Sequence, residues 1–140
     1  MGGNTLICYN IPMETSQKKK VLWVEDDKLL GKILGEAIAV KGYELQLALT
    51  GREAITTLKD FTPDIIMVDL YLPGDMNGYD ILERVTTDPR FKKTPTIILS
   101  NFGKTEHFGK EHPVAATRYL LKADVGISQI LATLHELCPN

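Results

Sequence analysis

Val21-Leu22-Trp23-Val24 is an unbroken apolar run, and Glu25-Asp26-Asp27 follows it directly. Four consecutive apolar residues suit a strand covered on both faces, since a half-exposed strand would alternate. The pattern returns three times: Ile65–Val68 runs into Asp69, Thr96–Leu99 into Ser100, and Arg118–Leu121 into Lys122. Helical spacing fills the gaps. Leu29, Leu30, Ile33, Leu34, Ala37, Ile38 and Val40 recur at helix period, and Gly42 ends that helix. Tyr43–Leu49 alternates as a strand, and Thr50 caps a helix with Ala54, Ile55 and Leu58 inward. Gly74, Asn77 and Gly78 mark a loop before a short helix, Tyr79–Val85, with Ile81, Leu82 and Val85 inward. Asp124 is placed to cap a last helix burying Ile127, Ile130, Leu131, Leu134 and Leu137. Residues 102–114, interrupted by Gly103, Gly109 and Pro113, predict a short or irregular helix.

Five strand–helix units with buried strands predict an α/β fold. Its core is a doubly wound five-stranded parallel sheet with helices on both faces. The domain spans residues 20–138, after an N-terminal extension over 1–19 that reads as flexible. The apolar stretch Leu6–Ile11 is too short for a signal peptide and is followed by Pro12. No apolar run approaches a membrane span. The chain of 140 residues is 44% apolar and 24% charged, an ordinary globular balance. A net charge of −2 gives no basic excess for nucleic acid, and Lys18-Lys19-Lys20 reads as solvated tail. Cys8 and Cys138 lie near opposite ends without metal-ligand spacing; a reduced cytosolic pair is preferred to a disulfide.

In sheets of this kind ligands bind beyond the carboxyl ends of the strands. Those ends carry Glu25, Asp26 and Asp27, then Asp69, Ser100 and Lys122. Carboxylates brought so close repel, and a hard divalent cation such as Mg²⁺ relieves the repulsion through oxygen ligands. Asp69 then has the chemistry of a nucleophile toward phosphorus, with Ser100 and Lys122 to bind phosphoryl oxygens. Other frames fail. Gly103-Lys104-Thr105 lacks the glycine five residues earlier that a phosphate loop needs, and His107 and His112 do not stack on one helix face.

In this order and at this spacing, Val21–Asp27, Val68–Pro73, Ile97–Ser100 and Tyr119–Lys122 resemble the segments of the response-regulator receiver family. The resemblance covers residues 20–137 and points to a stand-alone receiver. It implies a flavodoxin-like strand order 2-1-3-4-5, with Asp69 as the phosphoacceptor. It makes Asp26 a direct Mg²⁺ ligand, Glu25 its partner, and the Tyr71 backbone carbonyl a further ligand beside Asp69. Ser100 becomes the switch hydroxyl, Tyr119 the switch aromatic and Lys122 the phosphate-pairing cation. Asp27, one place past the acidic pair, remains a helix cap.

The implied partners are a histidine kinase or histidine phosphotransfer protein and a downstream protein target. Nucleic acid and membrane are not expected, and the protein would be cytoplasmic and a monomer or weak homodimer. The protein would promote its own modification without turning over outside substrates. Phosphatases that pass through an aspartyl phosphate keep a second aspartate two residues on, where this chain has Tyr71. The alternative function is a phosphorylation-independent interaction module of the same fold. A flavin-binding role ranks third. Four departures stand out. The 73–78 loop is one residue longer than usual, Ala123 replaces a proline, Ala115-Ala116 replaces Gly-Ala, and Asn101-Phe102 is bulky. With Tyr71, these last two side chains are expected to slow attack of water on the phosphorylated state.

Overall fold

A computed structural model describes residues 17–101 and 116–140. Most of the predicted extension, the 102–114 segment, Cys8, Phe102, Ala115, His107 and His112 lie outside the described residues. Five parallel strands form one sheet: β1 Lys20–Val24, β2 Glu44–Ala48, β3 Ile65–Val68, β4 Thr96–Ser100 and β5 Arg118–Leu121. Their spatial order is 2-1-3-4-5, as the resemblance implied. Four α-helices are described, α1 Lys28–Val40, α2 Gly51–Thr57, α3 Gly78–Thr87 and α4 Ile127–Leu137, with a short 3-10 helix at Pro89–Phe91.

The side-chain period of two divides each central strand between two cores. Val21 and Trp23 of β1, with Ile65 and Met67 of β3, face Leu34 and Ile38 of α1 and Ile130 and Leu134 of α4. Leu22, Val24, Ile66 and Val68 face the opposite way, onto Ala54 of α2 and Ile81 and Val85 of α3. β1, β3 and β4 are thus buried on both faces, which is why their sequences do not alternate, whereas β5, expected to be buried like them, is half-buried at the far edge of the sheet. β2 at the sheet edge does alternate, with Glu44 and Gln46 exposed. Gly31 and Gly35 let α1 lie close over this edge, since a Cβ at either would come within 2.8 Å of Leu47 or Leu45.

Helix starts follow local chemistry. Asp27 accepts from the N–H groups of Leu29 and Leu30, so its reading as a cap holds. Thr50 accepts from Glu53 N at 3.1 Å. Asn77 and Asp80 form a reciprocal capping box on α3. Gly42 adopts φ +95°, the left-handed turn that ends α1.

The last helix corrects two expectations. Its N-cap is Gly126, without a side-chain hydrogen bond, because the Asp124 N–H is still bonded to Leu121 O in the turn leaving β5. Ile127 stands at the first turn of the helix, beyond the cover of the sheet, and is 42% exposed. Ile130 and Leu134 are buried, while Leu131 and Leu137 are half-buried. Likewise Ile55 is half-buried, with Ala54 and Leu58 carrying the inner face of that segment.

Candidate functional site

The sheet's hydrogen bonding continues one residue past the strands and fixes the backbone of the site. Glu25 N donates to Ala48 O, Asp69 N to Val24 O and Lys122 N to Ser100 O. Three side chains that are far apart in sequence therefore leave the same edge from anchored positions. Gly78 brings the loop down over this edge. Its N–H donates to Leu70 O at 2.9 Å, and a Cβ there would fall on the Asp69 carbonyl oxygen and 2.7 Å from Leu70 Cα.

Ligand atoms of Glu25, Asp26 and Asp69 lie within 4.8 Å of one another. Glu25 and Asp69 are buried and Asp26 is exposed. Lys122 reaches between the two buried carboxylates, with Nζ 2.7 Å from Glu25 Oε1 and 2.9 Å from Asp69 Oδ2. The contact with Asp69 is an aligned hydrogen bond, whereas buried Glu25 Oε1 receives none. Glu25 Oε2 accepts from Asp27 N, and Asp69 Oδ1 accepts from Tyr71 N at 3.2 Å.

Burial raises the Glu25 carboxyl above the usual glutamate range, and the neighbouring ammonium only partly offsets it. Burial would lower the Lys122 ammonium, but Glu25 and Asp69 outweigh that and hold it above its ordinary value. Lys122 is therefore a fixed positive charge at neutral pH.

The donor set fits a hard cation. Among the described residues it offers three carboxylates, no nitrogen or sulfur ligand, and one buried oxygen lacking an aligned hydrogen bond.

Ser100 is buried at the end of β4; Val68 pairs with Ile98, so Ser100 lies one step beyond Asp69 in register. Tyr119 is half-buried against the cluster of Leu70, Tyr79, Leu82 and Ile98, and its hydroxyl accepts from Ala116 N at 3.5 Å. Tyr71 is 47% exposed near the site. No described peptide bond is cis, which accords with Ala123 in place of proline.

A profile of the response regulator receiver domain matches residues 21–135. The chain belongs to this family. Among the receivers' solved structures, the chemotaxis response regulator CheY4 of Vibrio cholerae superimposes with a TM-score of 0.77. It is 26% identical, and the match covers 86% of this chain and 99% of that one. A response regulator from Chloroflexus aurantiacus also gives a TM-score of 0.77 at 26% identity, covering 86% of this chain and 98% of its own. The phosphate regulon transcriptional regulatory protein PhoB of Rhizobium meliloti is 28% identical over 74% of this chain and 45% of its own length. The chain spans less than half the length of the curated relatives it matches. As in other receivers of two-component signalling, the acidic pocket is suited to Mg²⁺, and no described helix is long and apolar enough to cross a membrane.

Two features of the receiver site escaped the sequence reading. One is Gly78, seen only as a loop marker; its position directly after the Asn77 cap, where glycine weakens a helix, was the available signal. The other is the direct Lys122–Glu25 contact, which joins residues 97 positions apart and has no local signature.

Proposed function

We propose that Asp69 accepts a phosphoryl group from a phosphohistidine donor in an Mg²⁺-dependent reaction, and that residues 20–138 form the unit that responds. The observation that carries this reading is the Lys122 ammonium held 2.9 Å from the Asp69 carboxylate, beside Glu25 and Asp26. An Asp69 oxygen attacks phosphorus as the P–N bond to the donor imidazole breaks, and the imidazole leaves with the bonding pair. Lys122 balances the charge on the transferred oxygens. Glu25, Asp26, Asp69 and the Tyr71 carbonyl are the groups that would hold Mg²⁺. When bound, the ion neutralises the pocket and the incoming phosphoryl group. Ser100 then hydrogen-bonds the new phosphoryl group, and Tyr119 changes rotamer in response. Output is a population shift in a surface that a partner protein reads.

The test is intact mass after incubation with acetyl phosphate, with and without Mg²⁺. One added phosphoryl group that needs Mg²⁺ supports the reading. No added mass under either condition sinks the small-molecule route, and a phosphohistidine donor protein then decides between phosphoacceptor and binding module.

Three further outcomes are expected. Glu25 holds its proton to a higher pH than an exposed glutamate, so acid competes with the cation early. Calorimetry should show Mg²⁺ affinity falling as the pH is lowered, beginning at a higher pH than protonation of an ordinary glutamate would allow, with a weaker dependence in Glu25→Gln. A donor protein has to land on the apolar rim of the site, where Leu29, Ile33 and Ile127 are exposed. Ile33→Glu should therefore slow transfer from a donor protein by about tenfold or more while leaving acetyl phosphate uptake intact; equal slowing of both would refute that landing site. Tyr71 and Asn101 flank the mouth and should exclude water, so Tyr71→Ala should shorten the phosphorylated lifetime, read by loss of the added mass with time.

A further inference from the structure

The charged residues are sorted between the two ends of the sheet. All strands run parallel, so residues that precede them share one edge and residues that follow share the other. The leading edge presents six exposed lysines. Lys18 and Lys19 precede β1, Lys41 precedes β2, Lys59 precedes β3, and Lys92 and Lys93 precede β4. Against them stand five carboxylates: Glu44 and Asp60 are exposed among the lysines, Glu136 is paired with Arg118, and the other two are also engaged locally. Asp88 is paired with Arg90, and Asp64 accepts from Lys20 N. The trailing edge presents Asp26, Asp27, Glu53, Asp75 and Asp124 around the buried Glu25 and Asp69. Its described cations are fewer: Lys28, Arg52 and Lys122, of which Arg52 is held by Asp75 and Lys122 by the pocket. A chain with a net charge of only −2 thus carries its unpaired lysines at one end of the sheet and most of its acidic cluster at the other.

We infer that the lysine edge is a docking surface for the acidic edge of a second copy of this chain, stacked head to tail. The chemistry favours this occupant. Lysine is a compact point charge without the fork that reads phosphate bidentately, so separate lysines suit an array of separate carboxylates. The protein's other edge supplies such an array. The contact is heterologous, with different surfaces meeting, so it repeats from copy to copy instead of closing into a dimer. In each contact the mouth of one acidic pocket is covered, and a covered copy is closed to a phosphoryl donor. Association is electrostatic and reversible, and its strength follows the screening length.

The experiment is sedimentation of the full chain across a range of protein concentrations. It is run at an ionic strength of about 0.01 M, where the Debye length is about 30 Å, and at about 0.15 M, where it is about 8 Å. The average mass should rise with concentration at low salt and return to that of the monomer at higher salt. Lys92→Glu/Lys93→Glu should stay monomeric, as should Asp75→Lys/Asp124→Lys. An equimolar mixture of the two variants should associate, because the first keeps its acidic edge and the second its lysine edge. This readout does not depend on phosphoryl transfer, so it stands or falls separately from the role of Asp69. A wild type that stays monomeric at low salt overturns the inference, as does association that survives both pairs of substitutions. Capture by vesicles containing an anionic phospholipid, with the protein monomeric in solution, would assign the edge to a lipid surface and also overturn it.

Discussion

Asp69→Asn is expected to take up no phosphoryl group from acetyl phosphate with Mg²⁺ present, while remaining folded. The amide nitrogen has no lone pair free for attack and the amide oxygen is a poor nucleophile, so the acyl phosphate cannot form. The change is nearly isosteric, and the Tyr71 N–H to Oδ1 contact has a counterpart in the asparagine oxygen. Lys122 loses one ion contact but keeps Glu25 at 2.7 Å, so the pocket retains a paired charge. Thermal melts should therefore differ by about 1 kcal/mol or less in stability. Intact mass reads the chemistry. An added phosphoryl group of wild-type extent in Asp69→Asn would move the acceptor elsewhere, with Asp26 the first residue to replace.

Gly78→Ala is expected to cost about 3 kcal/mol, lowering the melting temperature by about 10 °C. The helix itself would prefer alanine by about 1 kcal/mol, so the sign of the effect rests on packing alone. The atoms in the way decide it. The new Cβ meets the Asp69 carbonyl oxygen and carbon and the Leu70 Cα, which are backbone and cannot rotate aside as the end of a leucine would. Relief requires α3 to rise from the sheet or β3 to bend, and either movement displaces Asp69. Stability and phosphoryl uptake should therefore fall together. The same substitution at Gly35 meets only the terminal methyl of Leu45 and should cost much less. Gly78→Ala within about 1 kcal/mol of wild type would show that the loop yields, contrary to this account.

Much of the site was legible because the fold reads one residue per strand at a fixed place. Glu25, Asp69 and Lys122 each stand directly after a strand, and Ser100 ends one. Parallel pairing then carries them to one edge whatever the loops do between. Helix α1 was equally clear: its period and its Asp27 cap are local properties. The start of α4 was not legible. Asp124 and Gly126 are both acceptable caps, and the turn hydrogen bond from Asp124 N to Leu121 O selects between them. Ile127 misled for a related reason. Periodicity marks an apolar face but does not say how far the sheet extends beneath it.

The amino-acid sequence by itself determined the element order, the doubly buried strands and the identity of the polar residues at their ends, since these depend on local period and composition. Tertiary structure alone decided how those residues meet. The Lys122 ammonium lies between Glu25 and Asp69, Gly78 lies against the backbone that carries Asp69, and six lysines share the edge opposite the pocket. Each is a relation between segments distant along the chain, set by strand register and close packing, and neither leaves a trace in the spacing of any single segment.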